Sequence, residues 1–297
     1  MDFLQPFQYE FFARGIIVAI MVGGMCGLLG VYIILRGMSY IGHGMSHAVF
    51  GGAVVSYMIS LNYYIGATLW GFMSAILINE ISRRKMIKAD AAIGVVTTAG
   101  FAIGVLLITS ARSFHRNFEA ILFGNILGIT DQDLYVILAV LAITMLFVFF
   151  FNKRMLFTIF DKETSKVYGI KTELVEIIFS LVLATVVIAS MNAIGVTLLA
   201  AAIVAPAISA RLLTNNFLKM IVISSTIGAV AAFLGMYASF YFDSASGATI
   251  VLFGAAAFGI SSLYAFIRKV YHMHSHGNEE TKHSHLHLHV DQHRHGH

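Results

Sequence analysis

The sequence predicts an all-α polytopic membrane protein, a bundle of eight or nine transmembrane helices with one short helix outside it. Three observations carry this. Of 297 residues, 58% are hydrophobic and only 11% are charged, where a soluble domain carries about a quarter charged residues. The apolar residues fall into separate stretches of about the 20 residues a spanning helix needs. The Lys and Arg residues sit in the short loops between those stretches, where they act as topology signals.

The candidate spans are 15–35, 40–60, 63–81, 91–110, 132–151, 173–191, 194–212, 218–241 and 247–267. The segments 40–60 and 194–212 are shorter or more polar than the rest, which leaves open a broken or re-entrant path there and eight full crossings instead of nine. Residues 3–14 (FLQPFQYEFFAR) have the pattern of an amphipathic helix lying in the membrane interface. The segment ahead of the first span has acids and aromatics in place of a basic leader region, so no cleavable signal peptide is expected. Pro206, within the apolar LLAAAIVAPAISA at 198–210, predicts a kink or break. Small residues in GGMCGLLG at 23–30 predict close helix packing.

Arg83, Arg84, Lys85 and Lys88 cluster in one loop, and Lys153, Arg154, Lys162, Lys166 and Lys171 in another. Arg211 and Lys219 flank a third turn, and Arg268 and Lys269 follow the last span. With nine spans all four clusters fall on one side, which the positive-inside rule makes the cytoplasm. A net charge of +4 distributed this way is a topology pattern and not a nucleic-acid surface. The single cysteine, Cys26, excludes an intramolecular disulfide.

The sharpest chemical motif is RGMSYIGHGMSHAVFGG at 36–52. His43 and His47 are four residues apart, so on a helix they share a face one turn apart and can hold one metal ion together. Two buried histidines bonded to backbone would be the bland alternative. Ionisable residues within spans are costly and mark pathways or partners, and the flanking glycines favour the metal. Tetrahedral zinc takes four ligands, which two such pairs at a dimer axis would supply. Glu80, Asp90, Glu119 and Asp243 are weaker candidates that could line vestibules, though solvated or hydrogen-bonded span ends are the favoured reading, and His115 lies in an external loop with Arg112 and Arg116.

Ten of the thirteen histidines lie in the last 26 residues: His272, His274, His276, His283, His285, His287, His289, His293, His295 and His297. Imidazole suits zinc, copper and nickel. An affinity tag is the bland reading. The alternation with Ser, Leu, Met and Arg and the interspersed Glu279, Glu280 and Asp291 favour a native metal-binding tract, disordered without metal. The chain thus divides into a transmembrane domain over 1–270 and a histidine-rich tail over 271–297. A membrane body bearing such a tail points to a protein that moves, senses or handles a transition metal.

The segment FTIFDKETSKVYGIKTELVEIIFSL at 157–181 is the longest polar interruption between strongly apolar spans. Its pattern predicts a short amphipathic helix at 161–168 closed by a glycine C-cap at Gly169. It is either a solvated loop or a docking surface for a cytoplasmic protein. The sequence has no GxxxxGK[ST] phosphate loop and no HExxH, so neither ATP hydrolysis by that route nor a zinc protease is expected.

Taken together, GLLGVYIILRGMSYIGHGMSHAVFGG at 27–52, DAAIGVVTTAGFAIGVLLI at 90–108, FGNILGI at 123–129, DKETSKVYGI at 161–170, NAIGVTLLAAAIVAPAISARLL at 192–213 and DSASGATIVL at 243–252 resemble the integral-membrane permease subunit of binding-protein-dependent ABC importers for zinc and manganese. The resemblance implies the ABC importer permease fold with a cytoplasmic coupling helix. It also implies a dimeric path, with a second copy of the chain as partner, ATP on a separate ATPase subunit, and an extracellular or periplasmic metal-binding protein. No covalently bound cofactor is implied; Zn2+ or Mn2+ is the cargo. Asp161, Lys162, Glu163, Tyr168 and Gly169 match the coupling helix. In the family's first motif an Asp and a His four apart handle the metal; position 47 keeps the His, and His43 stands where Asp is usual. The Pro usual near Gly51 and Gly52 is absent. Exchanging a carboxylate for an imidazole favours zinc over manganese and removes a negative charge that would hold a dication. The implied location is the inner (plasma) membrane of a prokaryote, with the tail cytoplasmic and serving as a metal buffer or sensor.

The competing reading is a proton-coupled secondary zinc or nickel transporter, which would need no docking helix and more acids within its spans. A membrane metalloenzyme would need three or more convergent ligands and a general base. A non-catalytic sensor would need only the tail.

Overall fold

The computed structural model describes residues 5–84, 89–110 and 122–271. The described residues are helical, without strands, and all nine expected spans appear as helices. In chain order these are α1 (Glu10–Leu35), α2 (Ile41–Met58), α3 (Tyr63–Arg83), α4 (Ala89–Ser110), α5 (Asp131–Phe160), the short α6 (Lys162–Val167), α7 (Thr172–Ile194), α8 (Leu199–Leu213), α9 (Phe217–Phe242) and α10 (Ser246–Tyr271). Seven are long and apolar enough to cross a membrane. The other two are α2, which carries the two histidines and four glycines, and the 15-residue α8. These correspond to the two stretches that read as short or polar in sequence.

The centre of the bundle is α1 and α7, whose most apolar windows are 78% and 67% buried within the protein, against 17% for α10 and 22% for α5. A helix that is apolar all round and buried all round is an interior helix, and one apolar but exposed faces lipid. Tyr32 of α1 is fully buried and meets the rings of Phe147, Phe179 and Phe217, so α5, α7 and α9 converge on it. Helices in a bilayer associate through close packing, since lipid already solvates apolar side chains. The glycines make this possible: α2 lies between α3 and α4 so closely that a methyl group at Gly51 would come 2.2 Å from the Gly100 carbonyl oxygen.

Two local expectations change. The first turn of the chain is not a separate interfacial helix. A 3-10 turn, Gln5–Gln8, leads directly into α1 at Glu10, because Phe12 is fully buried against Phe240 and Arg14 pairs with both Glu10 and Asp131. Pro206 does not break its helix, since α8 runs continuously from Leu199 to Leu213. The interruption lies earlier, at 195–198, where Gly195 adopts φ +93. There the loop before α5 covers the gap. The Asn125 N–H donates to the Asn192 carbonyl at 2.9 Å, and the Thr197 N–H and hydroxyl donate to the Leu122 carbonyl at 3.2 and 2.7 Å. Non-helical backbone inside a membrane protein is tolerated where protein satisfies it in this way.

Candidate functional site: a histidine pair and the helix beyond the bundle

The α1–α2 turn sets the position of the histidines. Arg36 ends α1, and Gly37 takes φ +66. The Gly37 and Met38 N–H groups return to the Ile34 and Ile33 carbonyls at 3.1 and 3.2 Å, a Schellman closure that redirects the chain into α2. His43 and His47 occupy the first two turns of α2. Their Nε2 atoms are 3.1 Å apart and their rings stand edge to face at 89°. His47 also meets the Phe101 ring of α4 at 4.7 Å, and His43 meets Tyr40 at 5.2 Å. The Nδ1 of His47 is buried without a hydrogen-bond partner among the described residues.

Two nitrogens each about 2.0–2.1 Å from a tetrahedral zinc ion stand about 3.3 Å apart. A separation of 3.1 Å therefore suits two ligands of one ion, and also one hydrogen bond between rings of unlike tautomer. Among the described residues no group of three or more His, Cys, Asp or Glu side chains converges. One described chain thus offers a two-nitrogen half-site.

The segment after α5 folds as its sequence predicts. Asp161 caps α6, accepting the Thr164 N–H at 2.9 Å and the Thr164 hydroxyl at 2.5 Å. These bonds hold its carboxyl below the usual aspartate range. Gly169, at φ +77, closes the helix, with the Gly169 and Ile170 N–H groups returning to Lys166 and Ser165 at 2.9 and 3.0 Å. Ser165 is buried and anchors the inner face, while Val167 and Tyr168 are 85% and 74% exposed. Lys162 does not face outward but donates to both carboxylate oxygens of Glu176 at 2.8 Å. Glu163 is exposed, with Lys166 3.7 Å away.

At the opposite end of the bundle the fold builds a polar cluster that the sequence does not reveal. Asp133, 8% exposed, accepts from the Tyr64 hydroxyl, from Asn192 Nδ2 at 3.2 Å, and from the Thr130 N–H and hydroxyl at 2.9 and 2.6 Å. Tyr63 joins through Asn192. The Thr130–Asp133 capping box is the one local signal available; nothing in the sequence brings α3 and α7 to it. Every lone pair of this carboxylate is matched, so it reads as a tie between three helices. Of the other polar span ends, Glu80 pairs with Arg83 and Arg84, and Asp243 ends α9 in a left-handed turn. His115, Glu119, Lys85, Lys88 and the ten tail histidines lie outside the described residues.

The family described as the ABC 3 transport family matches residues 8–265, nearly the whole described chain. The protein belongs to the ABC 3 transport family. It is similar to the "Manganese transport system membrane protein MntC" of Listeria monocytogenes, 38% identical over 258 residues that cover 87% of this chain and 92% of that one. It is also similar to a "Probable iron transport system membrane protein" of Haemophilus influenzae, 34% identical over 262 residues covering 88% and 93%. The solved structure "PsaBC from Streptococcus pneumoniae in complex with Fab" superposes with a TM-score of 0.79 at 37% identity, covering 88% of this chain and 94% of that chain. This ABC 3 family member is thus a membrane permease subunit of a metal ABC importer and not an enzyme. Its ATPase is a separate subunit, its importer works with a substrate-binding protein, and its place is the prokaryotic inner membrane. The proton-driven alternative is set aside by this membership.

Proposed function

We propose that the protein carries a divalent transition metal through a path between two copies of the chain, with His43 and His47 as the cargo's contacts and zinc favoured over manganese. The carrying observation is the 3.1 Å approach of the two Nε2 atoms. Each copy would supply two of a zinc ion's four ligands, and a half-site releases its ion more readily than a closed structural site. Borderline-soft imidazole favours zinc, and carboxylate oxygen favours manganese.

The exposed face of α6, with Asp161, Glu163, Tyr168 and Gly169, docks the ATPase, and Lys162 fixes it to the bundle. Support comes from Val167 and Tyr168, large apolar side chains exposed on a helix beyond the spans. ATP binding and hydrolysis then alternate the path between outward and inward access. The tail, 271–297, lies on the cytoplasmic side and buffers or senses metal there.

The test is uptake of radioactive zinc and manganese by cells carrying the whole importer, in direct competition. Zinc uptake should exceed manganese uptake and should fail in His47→Ala with the ATPase still co-purifying. Preferred manganese uptake, or full uptake by His47→Ala, overturns the reading.

A further inference from the structure

Arg36, Lys162 and Glu176 form an ion cluster at the end of the bundle that carries α6. Its charges are unevenly satisfied. Lys162 Nζ holds both oxygens of Glu176 at 2.8 Å although 39% of its side chain is exposed. Arg36, only 11% exposed, has its Nη2 at 3.6 Å from the same carboxylate, beyond hydrogen-bonding distance. Its Nη1 is buried with no hydrogen-bond partner among the described residues. The guanidinium rests over the Phe179 ring, 5.3 Å from its centroid. Glu173, one turn earlier on α7, is engaged by Arg83 at 3.4 Å and does not fill the gap.

A buried guanidinium short of acceptors is costly. The nearby carboxylate that would relieve it is held by the more exposed cation. A carboxylate and a guanidinium make a two-pronged pair when they can meet, so Glu176 has a second favourable position within a small displacement. The two cations belong to different elements of the fold. Lys162 is the first residue of α6, and Arg36 ends α1 at the turn leading to α2, seven residues before His43 and eleven before His47.

We propose that Glu176 is a two-position relay: its carboxylate holds Lys162 in one state of the importer and Arg36 in the other, so that movement of α6 repositions the α1–α2 turn and the histidine pair. The inference rests on the reading of α6 as the ATPase-docking helix. Glu176 acts through other residues and touches no cargo; it is a positioning residue. Small local rearrangements become global when both arrangements are discrete and well packed.

The experiment uses the complete importer, with ATPase and binding protein, in proteoliposomes, reading metal ions taken up per ATP hydrolysed. Glu176→Gln and Arg36→Met should each retain the ATPase and its basal hydrolysis while ions per ATP fall about tenfold. The double variant should be no worse than either single one, as expected when two residues act as a unit, and Arg36→Lys should recover part of the loss. In parallel, spin labels on Ser39→Cys and Lys166→Cys, in a Cys26→Ser background, should change separation between nucleotide-free and ATP-trapped states in the parent and much less in Glu176→Gln. Unchanged ions per ATP in both single variants, or the same label movement with and without Glu176, overturns the relay. If Glu176→Gln does not fold, Arg36→Met decides alone. The docking reading fails separately, if Tyr168→Ala and Glu163→Ala leave ATPase binding untouched.

Discussion

The Nε2 atoms of His43 and His47 meet at 3.1 Å in the first two turns of α2, with Phe101 of α4 against the second ring. Phe101 packs on the His47 ring and Tyr40 on the His43 ring. Converting His43 to Asp replaces one imidazole with a carboxylate of harder character and adds a negative charge. In competition uptake, His43→Asp should move the zinc-to-manganese ratio toward manganese by about tenfold, about 1.4 kcal/mol of differential binding. An unchanged ratio with normal expression would remove the pair from the selectivity of the path.

The helix sandwich around α2 makes a sharper stability prediction. A methyl at Gly51 would lie 2.2 Å from the Gly100 carbonyl, whereas a methyl at Gly94, also on α4, meets nothing within 4 Å. Overpacking of this kind costs about 1–3 kcal/mol. Gly51→Ala should lower the midpoint of thermal unfolding in detergent by several degrees, and Gly94→Ala should leave it unchanged or raise it slightly, as expected from helix propensity.

Asp133 ties α5 to α3 and α7. Replacing it with Ala strands the partly buried Tyr64 hydroxyl and an Asn192 N–H, at about 1–3 kcal/mol for each donor left unpaired. Asp133→Ala should therefore destabilise the detergent-solubilised protein far more than Asp131→Ala, whose partner Arg14 keeps Glu10. Equal melting of the two variants would show the cluster to be dispensable.

The cap of α6 predicts both a substitution pattern and a pH dependence. Asn caps helices about as well as Asp, so Asp161→Asn should keep ATPase co-purification and Asp161→Ala should weaken it. The Asp161 carboxyl is depressed in the folded state by the Thr164 bonds. Its contribution is present at any pH above the ordinary aspartate range and is lost only as pH falls through the lowered folded value. ATPase binding measured from neutral to mildly acidic pH should therefore show no titration assignable to Asp161. A loss of binding in the parent but not in Asp161→Asn within that range would contradict this.

The tail carries a separate prediction. Removing 272–297 should leave the initial rate of zinc uptake intact and abolish its decline as internal zinc rises. Identical time courses at high internal zinc with and without the tail would deny it a sensing role.

Much of this architecture is written locally. Nine apolar stretches are visible because partition into lipid depends on composition summed over about twenty residues, and each stretch became a helix. The i, i+4 spacing placed His43 and His47 on one face, and Gly169 marked the end of α6 because few other residues accept its positive φ. Hydropathy also singled out 40–60 and 194–212 as the odd spans, although the interruption beside the second lies at Gly195 and not at Pro206. Tertiary structure alone decided which groups meet across helices. The distance between the two imidazole nitrogens depends on ring positions packed against Tyr40 and Phe101. Asp133 finds Tyr64 and Asn192 across 69 and 59 residues of chain, and Glu176 stands between Lys162 and Arg36 only because α6, α7 and the end of α1 pack together. Spacing along a helix fixes a face, whereas the partners on that face are chosen by side-chain packing among helices remote in sequence, which no local pattern encodes.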